Sequence, residues 1–179
     1  IGILLVLSNL EENKKLNLQQ AFLLTTLSWL SIAIFGCLPF LLANLNLSFV
    51  DAFFESMSGI TTTGSTIITD LNNVPKGILM WRSIMQWLGG IGIIIMAITV
   101  LPLLNIGGMQ LFRMESSDST EKILPKAREV TLIISIIYLG LTFVCAIAYW
   151  RFGMDIFDSI AHAMTTIATG GFSTYSDSI

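Results

Sequence analysis

Apolar and charged positions divide the chain into three long runs, two short runs and polar joints. After an apolar start at Ile1 to Leu7 comes a polar turn from Ser8 to Lys15, and no charged residue then occurs until Asp51. A bilayer core of about 30 Å takes roughly 20 apolar residues as a helix. Residues 18–45 therefore predict one span, tilted or bent, with Pro39 as a kink site. Residues 49–60 differ, because about 12 residues at a rise of about 1.5 Å reach about 18 Å, too short to cross. They predict a helix that enters the membrane half-way. Residues 78–104 predict a second full span, entered through Trp81 and Arg82 and left at Pro102. Residues 130–150 predict a third, ended by Trp150 and Arg151, and residues 155–167 a second short helix.

Each short helix runs into a loop of threonine and glycine, 61–66 in the first case and 168–173 in the second. A shift of 107 residues, the distance from Thr62 to Thr169, lays one on the other. It pairs Asp51 with Asp158, Met57 with Met164, Ile60 with Ile167, Gly64 with Gly171 and Thr66 with Ser173. One feature occurs twice, so the chain is a repeat. The loops cannot face lipid, since unpaired backbone groups in hydrocarbon are costly; they line a cavity or are buried in protein.

Basic residues orient the spans. The turn before residue 16 and the joint at 106–128 together hold Lys14, Lys15, Arg113, Lys122, Lys126 and Arg128, against Lys76, Arg82 and Arg151 on the other side. The first side is expected to be cytoplasmic, and the two units run parallel. Asp51, Glu55, Asp70, Asp155, Asp158 and Asp177 then fall at or near the outer side, where acidic groups concentrate cations.

Composition agrees with the pattern: 54% of residues are hydrophobic and 12% charged, where a soluble domain carries about 25% charge. A net charge of −3 without a basic run argues against nucleic acid. No Ser/His/Asp set, phosphate loop or metal cluster is visible, so an enzyme is not expected. Cys37 and Cys145 lie inside apolar runs and read as packing residues. Arg82 with Trp81 reads as an interfacial anchor, and Gly89, Gly90 and Gly92 read as close-packing positions rather than a hinge. His162, the only histidine, occupies the place of Glu55 in the repeat and reads as a hydrogen-bonded packing residue. Glu55 and Asp51 are charges near membrane depth, a costly placement that is either functional or that of a solvated vestibule.

Three readings of the loops compete. Glycine after a helix is an ordinary C-cap. An anion site needs a loop that precedes a helix, whereas here the loop follows one and meets the negative end of its dipole. A filter of backbone carbonyls suits a cation, with glycine supplying angles that β-branched residues avoid. Such a filter needs four loops around an axis.

The stretch Ser-Gly-Ile-Thr-Thr-Thr-Gly-Ser-Thr at 58–66, Trp-Arg-Ser-Ile-Met-Gln-Trp-Leu-Gly-Gly-Ile-Gly at 81–92 and Gly-Gly-Met-Gln-Leu-Phe-Arg-Met-Glu at 107–115 resemble the membrane subunit of bacterial Trk-type potassium uptake systems. This is a branch of the Trk/Ktr/HKT superfamily, and the third stretch is closer to Trk than to Ktr. The resemblance covers residues 16–179. It implies an all-α transmembrane fold of parallel, potassium-channel-like repeats, each an outer helix, a pore helix, a filter loop and an inner helix, four of them around one pore. On that plan residues 1–15 are the end of a preceding helix and a cytoplasmic turn. Residues 16–105 are the first repeat, 106–128 a cytoplasmic linker, and 129–179 an incomplete second repeat.

By the same resemblance, the carbonyls of Thr62, Thr63 and Gly64, and of Thr169, Gly170 and Gly171, would hold potassium as the transported ligand, with no covalent cofactor. It further implies a cytosolic nucleotide-binding regulatory subunit of the TrkA kind, a homodimer, and a multi-pass location in the bacterial cytoplasmic membrane. The second inner helix and the third and fourth units are missing, so the chain reads as a piece of a longer polypeptide. The residues themselves leave two alternatives open: a less selective or sodium-coupled cation path, and a non-transporting membrane scaffold of capped half-helices.

Overall fold

The first long apolar run is interrupted at Cys37, two residues before Pro39. In the computed structural model, which describes residues 18–43, 45–100 and 123–177, α1 (Leu18–Gly36) and α2 (Leu38–Leu42) meet at Cys37. Pro39 lies in the first turn of α2, where a missing amide breaks no helical bond. Phe40 N donates to Cys37 O at 3.1 Å, and the Gly36 carbonyl is taken by Trp81 Nε1 at 2.9 Å. The predicted span of 18–45 thus ends at Leu42, with its break capped by a side chain from another helix.

α3 (Phe49–Ile60) is a half-length helix of 12 residues. It begins on a capping box, in which Ser48 Oγ accepts from Asp51 N at 3.2 Å and Asp51 Oδ2 accepts from Ser48 N at 3.0 Å. The Ser48 hydroxyl and amide hold the Asp51 carboxyl below its ordinary range. A 3-10 turn (Leu71–Asn73) leads to Pro75 and to α4 (Lys76–Val100). α5 (Ile123–Arg151) starts inside the stretch expected to be linker. Pro125 falls in its first turn and Lys126, Ala127 and Arg128 are strong helix formers, so the chain becomes helical before its charges run out. α6 (Ile156–Ile167) is the second 12-residue helix. The expected helix and turn at 1–15, the inner-helix end at 101–105 with Pro102, and linker residues 106–122 lie outside the described residues.

Among the described residues, three segments are long and apolar enough to cross a membrane: Gln19–Leu42, Lys76–Ala97 and Glu129–Arg151. The two short helices nest among them, α3 against α1 and α4, and α6 against α4 and α5. Glycines make this nesting close. A Cβ on Gly36 would stand 2.6 Å from both Met85 Cε and Ser56 Oγ, where α1, α3 and α4 converge. A Cβ on Gly89 would overlap the Ile60 carbonyl at the end of α3, and one on Gly90 would stand 2.7 Å from the Tyr138 hydroxyl. Gly92 is looser, its nearest neighbour Trp29 at an ordinary 3.7 Å. Cys37 packs with Phe40 and Ala52 in a buried cluster.

Candidate functional site

Both short helices end in the same way. After α3, Thr61 N donates to Met57 O at 2.9 Å, Thr62 N to Gly59 O at 3.0 Å and Thr63 N to Ser58 O at 3.0 Å. After α6, at the same shift along the chain, Ala168 N donates to Met164 O at 3.1 Å, Thr169 N to Thr166 O at 3.0 Å and Gly170 N to Thr165 O at 2.9 Å. Thr62 and Thr169 then take left-handed backbones at φ 57° and 55°, followed by Gly64 and Gly171 at 78° and 77°. A β-branched residue at positive φ is a genuine outlier that costs about 1–3 kcal/mol. Finding it twice in corresponding places marks a built feature.

The loops also meet. A Cβ on Gly64 would overlap the Gly170 carbonyl oxygen, so the first loop lies directly against the backbone of the second. Gly170 in turn is buried beneath the end of the Gln86 side chain. The corresponding side of Gly171 has no described atom within 4 Å. Thr63, Thr169 and Gly171 are exposed in this chain and Thr62 and Gly64 half-buried. The six residues singled out in the sequence therefore form two neighbouring strips at the C-terminal, dipole-negative ends of two half-helices. Among the described residues no three His, Cys, Asp or Glu side chains gather as a chelating metal centre requires, and the oxygens on these strips are carbonyls and hydroxyls.

Behind the strips lies a polar layer. Glu55 is fully buried and accepts from Arg82 Nε at 2.7 Å, from Thr66 Oγ1 at 2.9 Å and from Ile67 N at 3.0 Å. Arg82 Nη1 donates to Ser173 O at 3.1 Å, and its guanidinium stacks 4.1 Å from the centre of the Phe172 ring. Arg82 is thus not an interfacial anchor: at 1% exposure it is inside the protein, in a buried ion pair. Trp81 was misleading beside it, because that indole serves the break in the first span instead of a headgroup. Glu55 likewise faces protein and not a vestibule. The sequence held one usable signal, two opposite charges at membrane depth that each need a partner. His162, in the place of Glu55, is buried and hydrogen-bonded to Thr174 Oγ1 at 3.1 Å, with Tyr149 edge-on to its ring. Gln86 carries no sign of a role in the sequence; its Oε1 accepts from Phe172 N at 3.2 Å.

The chain has known relatives in sequence and in fold. Residues 1–179 match the family described as TrkH, cation transport protein. The Trk system potassium uptake protein TrkI of Halomonas elongata is 50% identical over 153 residues, which is 86% of this chain and 31% of that protein. The Trk system potassium uptake protein TrkH of Escherichia coli is 44% identical over 182 residues, covering 100% of this chain and 38% of its own length. The crystal structure of the potassium transporter TrkH from Vibrio parahaemolyticus superposes with a TM-score of 0.83 at 41% identity, over 98% of this chain and 35% of that one. The chain spans about a third of each of these relatives (31%, 38% and 35%). With its all-α, multi-pass architecture and twice-repeated half-helix and loop, the chain belongs to the TrkH cation transport protein family.

Proposed function

We propose that this chain supplies two of the four loops of a backbone-carbonyl filter through which potassium is taken up across the membrane. Thr62, Thr63 and Gly64 contribute one quarter of that filter and Thr169, Gly170 and Gly171 the next. The observation that carries the reading is the duplicated left-handed backbone at Thr62/Gly64 and Thr169/Gly171, on two loops in contact at the ends of two half-helices. A dehydrated cation of potassium's size exchanges its water shell for such carbonyls, and the helix dipoles favour positive charge at that end. Relatives named for potassium uptake support the choice of ion.

On this reading residues 16–105 are one pore repeat and 129–179 part of the next, joined on the cytoplasmic side. The whole protein sits in the bacterial cytoplasmic membrane, pairs as a homodimer and docks a cytosolic nucleotide-binding regulatory subunit. The test is uptake by the full-length protein in a host that lacks its own potassium transport. Rubidium is expected to enter and excess sodium to compete poorly; equal entry of sodium, or no uptake of either, refutes the proposal.

A further inference from the structure

We infer that Arg82 and Gln86 are positioning residues that hold the two loops in register, so that ion discrimination is set in part by α4 and not by the loops alone. This rests on the filter reading above. The two residues are one helical turn apart on the same face of α4, and each is almost wholly buried, at 1% and 0% exposure. From this one face come two direct bonds to the second loop and, through Glu55 of α3, an indirect tie to the end of the first. Gln86 Oε1 takes the Phe172 amide and Arg82 Nη1 the Ser173 carbonyl, both just past Gly171. Arg82 Nε also fixes Glu55, which holds the Thr66 hydroxyl and the Ile67 amide just past Gly64.

The chemistry is poorly suited to stability alone. Arg82 Nη2 and Gln86 Nε2 are buried donors without a hydrogen-bond partner among the described residues, and an unpaired buried donor opposes folding. Apolar side chains of similar volume would hold α3, α4 and α6 together as well or better. What apolar side chains cannot supply is direction. The polar face of α4 fixes an amide and a carbonyl of the second loop directly and, through Glu55 of α3, a hydroxyl and an amide just past Gly64, while Gln86 also fills the space beside Gly170. Loss of these ties lets the loops separate or slide, and a carbonyl cage that changes size loses its preference between cations of different radius.

The test uses the full-length protein in proteoliposomes, with rubidium and sodium uptake normalised to inserted protein. Gln86→Met removes the amide tie. The double variant Glu55→Met/Arg82→Met removes both charges together, so that no unpaired charge is left buried. Ser83→Ala, on the same helix, is the control. The expected result is a fall of about tenfold in rubidium over sodium preference for both polar-to-apolar variants, with Ser83→Ala at the wild-type value. Wild-type preference in either variant overturns the inference. So does loss of either variant from the membrane, since that would make these side chains determinants of folding. A wild-type protein that does not prefer rubidium refutes the filter reading itself.

Discussion

Gly64 is where the fold and the proposed filter make the same demand, and Gly64→Ala separates its parts. Its φ of 78° lies in the left-handed region, where a Cβ costs an L-residue about 1–2 kcal/mol. The added methyl also overlaps the Gly170 carbonyl oxygen. That neighbour is backbone, not the free end of a side chain, and overpacking against a fixed neighbour costs about 1–3 kcal/mol. Together the two effects amount to about 2–5 kcal/mol. Gly153, in the turn after α5, gives the comparison: its φ is 106°, yet a Cβ there meets nothing within 4 Å. Gly153→Ala carries a backbone cost alone.

Both variants are made in the full-length protein, and their thermal stability in detergent and their rubidium and sodium uptake are compared. Gly64→Ala is expected to be the less stable, and sodium to compete with rubidium in Gly64→Ala only. The second effect follows because relief of the overlap requires the second loop to move away from the first. Equal destabilisation of the two variants, with unchanged ion preference in Gly64→Ala, refutes the contact between the loops as a determinant of selectivity.

Three further outcomes follow from named contacts. Glu55→Gln leaves the Arg82 charge buried without its counter-charge and is expected to lower stability by about 3–5 kcal/mol, read as loss of inserted protein or a lower unfolding temperature. Gly170→Ala drives a Cβ into the end of Gln86, and displacing that side chain from the Phe172 amide costs about 1–3 kcal/mol. Combining it with Gln86→Ala removes the obstacle, so in a double-mutant cycle the pair is expected to lose less stability than the sum of the single changes. Tyr175 donates to Asp158 Oδ2 at 2.7 Å, and this bond holds its phenol above the ordinary tyrosine value. Its stabilising contribution is therefore complete below about pH 10 and is lost as pH rises through the raised value; in thermal melts across that range, Tyr175→Phe is expected to remove this alkaline loss.

The half-helices and their loops were legible because each signal was local. A 12-residue apolar segment ended by glycine is complete in itself, and its recurrence after 107 residues, Thr62 to Thr169, needed only the sequence laid on itself. Even the left-handed backbone was announced at Gly64 and Gly171, though not at Thr62 or Thr169, where a β-branched residue argues against it. The layer behind the loops was not legible, because its partners are separated along the chain. Arg82 reaches Glu55 across 27 residues and Ser173 across 91. Read along one helix, an arginine beside a tryptophan six residues into a span resembles a headgroup anchor. Only the packing of α3 and α6 against α4 turns it inward. Gln86 was hidden for a simpler reason: an uncharged residue in an apolar run carries no mark until a backbone amide is found against it.

The differences between the two loops follow from which repeat stands beside which. Glycine at 64 and at 171 meets a demand of each loop's own backbone, since both adopt the same left-handed angle, and at 64 the Gly170 carbonyl adds a second demand. Glycine at 170 is not of this kind. Its counterpart, Thr63, carries an exposed side chain bonded to Thr61 Oγ1 at 2.8 Å, whereas any Cβ at 170 would enter the space held by Gln86. The first repeat's inner helix thus dictates a residue in the second repeat's loop. Glu55 and His162 both close their bonds within their own repeats, on Arg82 of α4 and on Thr174, but only Arg82 is also tied to the other loop, through the Ser173 carbonyl. A second loop moved to the seat of the first would keep its need for Gly171 but lose its reason for Gly170. The repeats share a backbone plan, and their side chains are fitted to particular neighbours, so the two loops are not interchangeable.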